Sequence, residues 1–208
     1  MSDDDAAVVA ALRRGDEAAF ASLIERYQAS LLRLAMAYVA TREQAEDAVA
    51  ETWLGVLNGI DRFEGRSSLK TWIFRILVNR AKTKGVREHR SVPFSALEGG
   101  GDQPEPAVDP ERFRDGAWSA PPASWAGVPE ERLLSAETRT VVDGAIAGLP
   151  EMQRAVITLR DVRGFTAPET CEVLGITEAN QRVLLHRARS KVRARLADYL
   201  GPAERPAV

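Results

Sequence analysis

The chain has 208 residues, of which 45% are apolar and 6% aromatic, and its formal net charge is −2. This apolar fraction excludes a chain that is disordered throughout, and the abundance of Ala, Leu, Arg and Glu predicts an all-α fold. The single cysteine, Cys171, excludes an internal disulfide and a cysteine-rich zinc site, and we expect it to be a small buried residue. No apolar run approaches the ~20 residues that span a membrane, and no signal-peptide pattern opens the chain, so we expect a cytoplasmic protein without membrane insertion.

Charge is distributed unevenly along the chain. Residues 62–90 contain nine Lys or Arg and two Glu, whereas residues 98–111 contain five acids and no base. A nearly neutral chain with basic blocks suits a protein that binds nucleic acid through chosen surfaces.

Residues 1–90 are predicted to form a first helical domain. A short helix over residues 6–14 should end at Gly15, and Asp16 can cap a long helix whose apolar spacing continues to Tyr38. Thr41 and Gln44 then form a capping-box pattern that predicts another helix, to about residue 57.

The helix over residues 42–57 has two different faces. Its inner side is predicted to be small and apolar, whereas its outer side carries acids, among them Asp47 and Glu51. The predicted inner residues are Ala45, Ala48, Val49, Thr52 and Val56.

A loop over residues 61–68 precedes a basic helix that is predicted to run from about residue 68 to 86. Leu69, Ile73, Ile76 and Leu77 form its apolar stripe, and Trp72, Arg75, Asn79 and Lys82 form another. An aromatic residue among cations can stack on an unpaired base while the cations hold phosphates. The alternative is that Trp72 covers the edge of the core and the charges are solvated.

Residues 91–134 are rich in Gly and Pro and predict a flexible linker with few stable elements. Trp118 and Trp125 stand out in it, because an exposed Trp is costly unless it packs against a surface. These two side chains could anchor the linker on a partner or pack locally on this chain.

Residues 135–200 are predicted to form a second helical domain, with residues 201–208 as a tail. Helices are expected over residues 137–147 and 151–162, followed by a helix–turn–helix over residues 166–195. Thr166 and Glu169 form a second capping-box pattern, Gly175 should end the first of these two helices, and Thr177 can cap the next.

The last helix separates an apolar face from basic ones. Leu185, Ala188, Val192 and Leu196 fall at helical spacing, and residues 179–197 contain six Arg or Lys and no acid. A capped helix that packs on one side and is basic on the other fits a major groove. A basic face that is merely solvated is the alternative.

The patterns of common catalytic sites are absent. The sequence lacks a phosphate-binding Gly-rich loop, a His-Glu-x-x-His pattern and a nucleophile elbow. We therefore expect no enzymatic activity, no catalytic residues, no cofactor and no metal.

Two stretches of the chain resemble a known family. Residues 45–53 (AEDAVAETW) and 63–76 (FEGRSSLKTWIFRI) look like region 2 of extracytoplasmic-function (ECF) sigma factors of the sigma-70 family. Leu149-Pro150 through Val156, Gly164-Phe165-Thr166 and Arg187-Ala188-Arg189 look like their region 4. The resemblance implies two small helical domains that bind core RNA polymerase and promoter DNA to direct promoter recognition and melting.

The resemblance also implies roles for particular residues. Asp47 and Glu51 would dock on the clamp helices of the largest polymerase subunit, region 4 would meet the flap of the second-largest subunit, and an anti-sigma factor is a further candidate partner. The loop over residues 61–68 and Asn79 would hold a flipped −10 base, with Phe63 beside it. The implied −10 contacts are Phe63, Trp72, Asn79, Arg80, Lys82 and Lys84, and the implied −35 contacts are Thr177, Asn180, Gln181, Arg182, His186, Arg187, Arg189 and Lys191.

The chain also departs from the family pattern. Ala50 stands where many members carry Gln, and residues 179–184 read Ala-Asn-Gln-Arg-Val-Leu where many carry Gly-Thr-Val-Lys-Ser-Arg. Asn180 and Gln181 can read adenine edges, so we expect a different −35 sequence. Two other functions compete: a two-domain regulator that binds duplex DNA without polymerase, and a helical adaptor that binds no DNA.

Overall fold

A computed structural model describes residues 3–89, 113–114, 117–118 and 136–200. These residues form an all-α protein with an N-terminal module of four helices and a C-terminal module of four more. The N-terminal module contains α1 (Asp3–Arg13), α2 (Glu17–Ala35), α3 (Arg42–Gly59) and α4 (Leu69–His89). The C-terminal module contains α5 (Ala136–Ala147), α6 (Glu151–Ile157), α7 (Ala167–Leu174) and α8 (Glu178–Leu200). Every helix in these ranges is too short or too polar to span a lipid bilayer.

Local capping sets the starts of the helices, as the sequence predicts. The Asp16 carboxylate accepts a hydrogen bond from the Ala19 N–H at 3.0 Å and begins α2. At α3 the Thr41 hydroxyl accepts from the Gln44 N–H at 3.3 Å, while the Gln44 side chain accepts from the Thr41 N–H at 3.0 Å. These reciprocal bonds satisfy backbone donors that a helix start otherwise leaves open.

The N-terminal module packs α2, α3 and α4 around a common core. The predicted inner face of α3 is fully buried, and Trp53 joins it while donating its indole N–H to Gln28 Oε1 at 2.8 Å. Leu69, Ile73 and Leu77 of the predicted α4 stripe are buried, whereas Ile76 is half-buried.

The long helix predicted to reach Tyr38 ends earlier, at Ala35. The Ala37 N–H donates to Leu34 O and the Tyr38 N–H donates to Ala35 O, so hydrogen bonds from residue i+3 to residue i tighten the chain into turns. The ring of Tyr38 still enters the core, which explains why the apolar spacing continues past the end of the helix.

The C-terminal module contains the predicted helix–turn–helix. Thr166 and Glu169 form the capping box of α7, and Gly175 ends α7 with a φ of 68°, a left-handed conformation that glycine adopts without strain. The segment over residues 151–162 is predicted as one α-helix but is not a single α-helix in the structure. It is α-helical only to Ile157 and continues as a π-helical turn, Thr158–Val162, with the Arg163 N–H donating to Thr158 O.

The two modules pack against each other, chiefly through α4 and α7. The Arg154 guanidinium in α6 reaches back to donate to Met36 O at 3.1 Å, and Lys82 Nζ in α4 donates to Leu174 O at 3.2 Å. Buried residues of both modules therefore belong to one continuous hydrophobic cluster.

Of the predicted linker, only two short strands lie within the described residues. Phe113–Arg114 and Ala117–Trp118 pair antiparallel, with Trp118 opposite Phe113. Trp125 and the tail over residues 201–208 lie outside the described residues. Cys171, expected to be buried, is half-buried, and burial raises the pKa of its thiol.

Candidate nucleic-acid and partner interfaces

The exposed face of α8 carries most of the predicted −35 residues. Thr177 precedes the helix, and its hydroxyl accepts from the Asn180 N–H at 3.3 Å. Asn180, Arg182, Arg187 and Lys191 are exposed, whereas His186 and Arg189 are half-buried. The exposed side chains project amide and cationic groups on the side away from the α7 contact, as a recognition helix requires.

Gln181 is the exception on this helix, and its position corrects the expectation that it reads a base. Its side chain is only 2% exposed, and its Nε2 atom has no hydrogen-bond partner. Gln181 precedes Leu185 by four residues and Ala188 by seven, so it extends the apolar stripe of α8. The helical spacing of that stripe was the signal in the sequence that could have predicted this burial.

Arg189 is held within the module. Its Nε and Nη2 atoms donate to the two carboxylate oxygens of Asp161 at 2.8 and 2.7 Å, joining α8 to the π-helical turn. Hydrogen bonding to Asp161 raises the pKa of Arg189 above its ordinary value. A bidentate pair of this kind fixes geometry, so Arg189 orients α8 in this conformation.

Val183 is a surface residue of α8 that is not among the −35 contacts predicted from the sequence. It is 48% exposed, and it lies three residues after Asn180 and four before Arg187. It therefore shares their face of α8. An apolar side chain among polar readers can contact the methyl group of thymine.

The predicted base-binding loop folds between α3 and α4. It begins with a 3-10 turn, Ile60–Arg62, and we refer to it as the 60–68 loop. Phe63 is only 6% exposed and its ring centroid lies 4.9 Å from that of Trp72, so its burial corrects the expectation that Phe63 contacts −10 DNA beside the flipped base. Gly59 permits this packing, since a Cβ atom there would lie 3.1 Å from Trp72 Cζ2.

Other parts of this loop and of α4 are accessible. A cleft of about 660 Å³ lies beside the loop, and Asn79 and Arg80 are exposed on α4. Trp72 is half-buried, so its indole covers the edge of the core and still reaches the surface. Val9, Arg13 and residues 61–65 line the cleft.

Lys82 and Lys84 are both occupied within the protein. Lys82 Nζ donates to Leu174 O and lies 6.0 Å from the Tyr38 ring centroid. Lys84 Nζ lies 3.0 Å from Glu51 Oε1 and 3.4 Å from Asp47 Oδ2. Burial lowers the pKa of Lys84, but the hydrogen bond and charge of Glu51, together with Asp47, outweigh it and raise the pKa. The structure thus joins a predicted DNA contact to both predicted polymerase contacts.

The acidic face of α3 also carries apolar residues. Leu54 is 60% exposed and Leu57 is 47% exposed. Leu54 follows Asp47 by seven residues and Glu51 by three, so it lies on the same face. The charge pattern of the sequence indicates only the acids of this face. Among the described residues, no three His, Cys, Asp or Glu side chains cluster as a metal ion would require.

Two family models match the chain in order. The model for Sigma-70 region 2 matches residues 23–91, and the model for Sigma-70 region 4 matches residues 139–192. The first model covers most of α2 and all of α3 and α4, and the second covers most of α5 to α8.

Curated relatives match almost the whole chain. ECF RNA polymerase sigma-E factors from Salmonella typhimurium and Escherichia coli K12 are 31% identical over 188 residues, covering 90% of this chain and 92% of theirs. The sigma-E factor of Haemophilus influenzae is 30% identical over the same length.

Solved structures support the fold. CnrH in complex with the cytosolic domain of CnrY superposes with a TM-score of 0.58 at 21% identity, covering 94% of this chain and 99% of that one. The sigma factor RpoE of Bartonella quintana, in complex with the anti-sigma factor NepR, gives the same TM-score and identity over 89% and 98%. From its two matched regions and its sequence identity to curated relatives, the chain belongs to the extracytoplasmic-function sigma factors of the sigma-70 family, which are transcription initiation factors and not enzymes.

Proposed function

We propose that this sigma factor binds core RNA polymerase in the cytoplasm and directs it to promoters through two separate DNA contacts. The observation that carries the proposal is the pair of region 2 and region 4 modules, present in order in one chain. The region 4 module contacts the −35 element and the region 2 module contacts the −10 element. The flap of the second-largest polymerase subunit is the proposed dock for region 4.

The −35 contact uses the exposed face of α8. Asn180 and Arg187 are placed for base edges, because an amide can bind adenine and a guanidinium can bind guanine bidentately. Arg182, His186, Lys191 and the Thr177 cap lie around them, and Val183 adds an apolar contact. Gln181 is excluded by its burial, and Arg189 acts through Asp161 by orienting the helix.

The −10 contact uses the 60–68 loop and the exposed surface of α4. The protein captures an extruded base in the cleft beside the loop, while Asn79, Arg80 and the edge of Trp72 contact the melted strand. Capturing an extruded base offsets the few kcal/mol that unstacking costs, so the DNA opens by differential binding. Phe63 supports Trp72 from within the core.

Contact between Lys82 and phosphate requires a change in the protein. Lys82 Nζ donates to Leu174 O. Two turns earlier in α4, Arg75 Nη1 lies 3.9 Å from Glu172 Oε1 in α7. Both bonds join α4 to α7. The two modules therefore separate at this contact when the −10 and −35 segments, which lie apart on DNA, are bound together.

The acidic face of α3 is the proposed dock for the polymerase clamp helices. Asp47 and Glu51 are accessible and Leu54 adjoins them, so the face offers both charge and apolar area to a basic partner. Charge complementarity speeds association and sets register, and buried apolar area slows dissociation. Lys84 lies beside both acids and orients them.

A binding experiment with purified components tests the function. The chain, mixed with core polymerase and a library of promoter fragments, should co-elute with polymerase and produce strand-separated DNA detectable by permanganate reactivity. Tight binding to duplex DNA without polymerase, and no strand separation with it, would instead support the duplex-binding regulator. One solved neighbour is bound to an anti-sigma factor, and we propose that a protein of that class also binds this chain.

A further inference from the structure

Helix α1 lies outside the matched region 2, which begins at residue 23, yet it contacts the 60–68 loop directly. Its Arg13 guanidinium donates to three backbone carbonyls at the start of the loop. Nε lies 3.2 Å from Ile60 O, and Nη2 lies 2.7 Å from Phe63 O and 3.5 Å from Asp61 O. A single side chain therefore holds the entry of the loop.

The other end of α1 holds the exit of the same loop. The Asp5 carboxylate accepts a hydrogen bond from the Leu69 N–H at 3.0 Å, at the first residue of α4. A carboxylate at that position satisfies a free backbone donor and is favoured by the helix dipole. Asp5 and Arg13 thus connect the two ends of the loop through one helix.

Helix α1 is itself fixed in the module. Val9 is 4% exposed and Leu12 is 7% exposed, and both belong to the common core. The helix is therefore a packed support for the loop, and it contributes Val9 and Arg13 to the wall of the cleft.

Between the two attachments, the loop is held mainly by local contacts. Glu64 and Arg66 form an exposed ion pair, and Gly65 adopts a left-handed conformation with a φ of 70°. Exposed ion pairs contribute little to stability. Without α1, residues 64–68 would lie between less firmly held ends, and ordering them when a base binds would weaken binding.

We infer that α1 holds the 60–68 loop in the conformation that accepts an extruded base, with Arg13 and Asp5 as positioning residues. The inference rests on the proposed role of this loop at the −10 element. The planar guanidinium of Arg13 reaches several carbonyls at once, whereas a lysine ammonium carries the same charge without that fork. Charge alone therefore does not replace Arg13.

The test uses the whole chain assembled with core polymerase. Holoenzymes carrying the wild-type chain, Arg13→Ala, Arg13→Lys or Arg14→Ala are incubated with a random-sequence single-stranded DNA library, and the bound strands are sequenced. Arg14 is the matched control, because it is the adjacent residue, carries the same charge and is exposed in the turn that follows α1. Affinity is then measured for the strand selected by wild type and for the same strand with an abasic site at the selected base.

We expect wild type and Arg14→Ala to prefer the intact strand over its abasic form. In Arg13→Ala and Arg13→Lys, the ratio of affinities for the intact and abasic strands should fall about tenfold. Both variants should bind the abasic strand and the polymerase normally. Asp5→Ala should shift this ratio in the same direction. A purely structural role would instead lower affinity for both strands equally, and thermal unfolding of each variant measures that effect separately.

The outcomes separate this inference from the function on which it rests. If wild type selects no base and does not distinguish the abasic strand, the proposed −10 role of the loop fails. If wild type selects a base and Arg13→Lys retains the full preference, the loop binds the base but the inferred positioning role of α1 is overturned. Should Arg13→Ala fail to fold, Arg13→Lys and Asp5→Ala decide the question in the same way.

Discussion

The Phe74 ring of α4 lies 4.9 Å from the Phe165 ring, which precedes α7, and each residue is only 1% exposed. Lys70 reinforces this contact, with Nζ 3.7 Å from the centroid of the Phe165 ring. The region 2 and region 4 modules thus share a core in this conformation. Separate docking on polymerase and DNA has to compete with that shared packing.

Removing the Phe165 ring should therefore destabilise the whole chain. We expect Phe165→Ala to lower the free energy of unfolding by about 3–5 kcal/mol, the usual cost of deleting a buried Phe. Denaturant unfolding followed by circular dichroism measures it. Val183→Ala, at an exposed site, is the control and should change stability by less than about 0.5 kcal/mol. A loss at Phe165 no larger than at Val183 would contradict the shared core.

The Thr166–Glu169 capping box should make stability depend on pH. Burial raises the pKa of Glu169, but hydrogen bonds from the Thr166 N–H and hydroxyl and the charge of Lys70 outweigh it and leave the pKa lowered. A carboxyl with a lowered folded-state pKa stabilises the protein above its unfolded pKa, and this stabilisation is lost as pH falls through the folded-state pKa.

We therefore compare the unfolding free energies of wild type and Glu169→Gln across the acid range. The variant keeps the acceptor but does not titrate, so the advantage of wild type should be greatest near neutral pH and should shrink below the ordinary Glu value of 4.5. Taking the difference removes the contribution of the other carboxyl groups. A difference that stays constant with pH would show that Glu169 is not linked to folding.

Val183 should read the methyl group of a thymine in the −35 element. Replacing the contacted thymine by uracil should weaken wild-type holoenzyme binding by about fourfold, as expected for about 0.8 kcal/mol per buried methyl-sized group. The same replacement should leave the affinity of Val183→Ala unchanged. Fluorescence anisotropy with thymines substituted one at a time provides the measurement, and equal effects on both proteins at every position would remove Val183 from the interface.

Neutralising the acidic face of α3 should slow polymerase binding. We expect the double variant Asp47→Asn, Glu51→Gln to associate with core polymerase about tenfold more slowly at low salt, since it loses attraction and leaves Lys84 facing a basic partner. Stopped-flow fluorescence gives the rate, and Glu25→Gln, which removes an exposed carboxylate from α2, is the control. An association rate equal to that of the control would place the dock elsewhere.

Several features of this protein follow from the sequence because they depend on neighbouring residues. The capping boxes at Thr41 and Thr166 join residues three apart, and Gly175 ends α7 through its own backbone conformation. Helical spacing likewise predicted the buried face of α3. The two motif sets were enough to indicate the family, which the comparisons confirm.

The tertiary structure decided which side chains of the predicted interfaces are available. Arg189 meets Asp161 across 28 residues, and Arg13 meets Phe63 across 50. Phe63 packs against Trp72 inside the core, and the missing side chain at Gly59 leaves room for the Trp72 ring. Pairings between residues so distant in sequence depend on how the helices pack, and no local pattern encodes them. The sequence determined the helices and their family, and the packing of those helices determined which charges and rings remain accessible to DNA and polymerase.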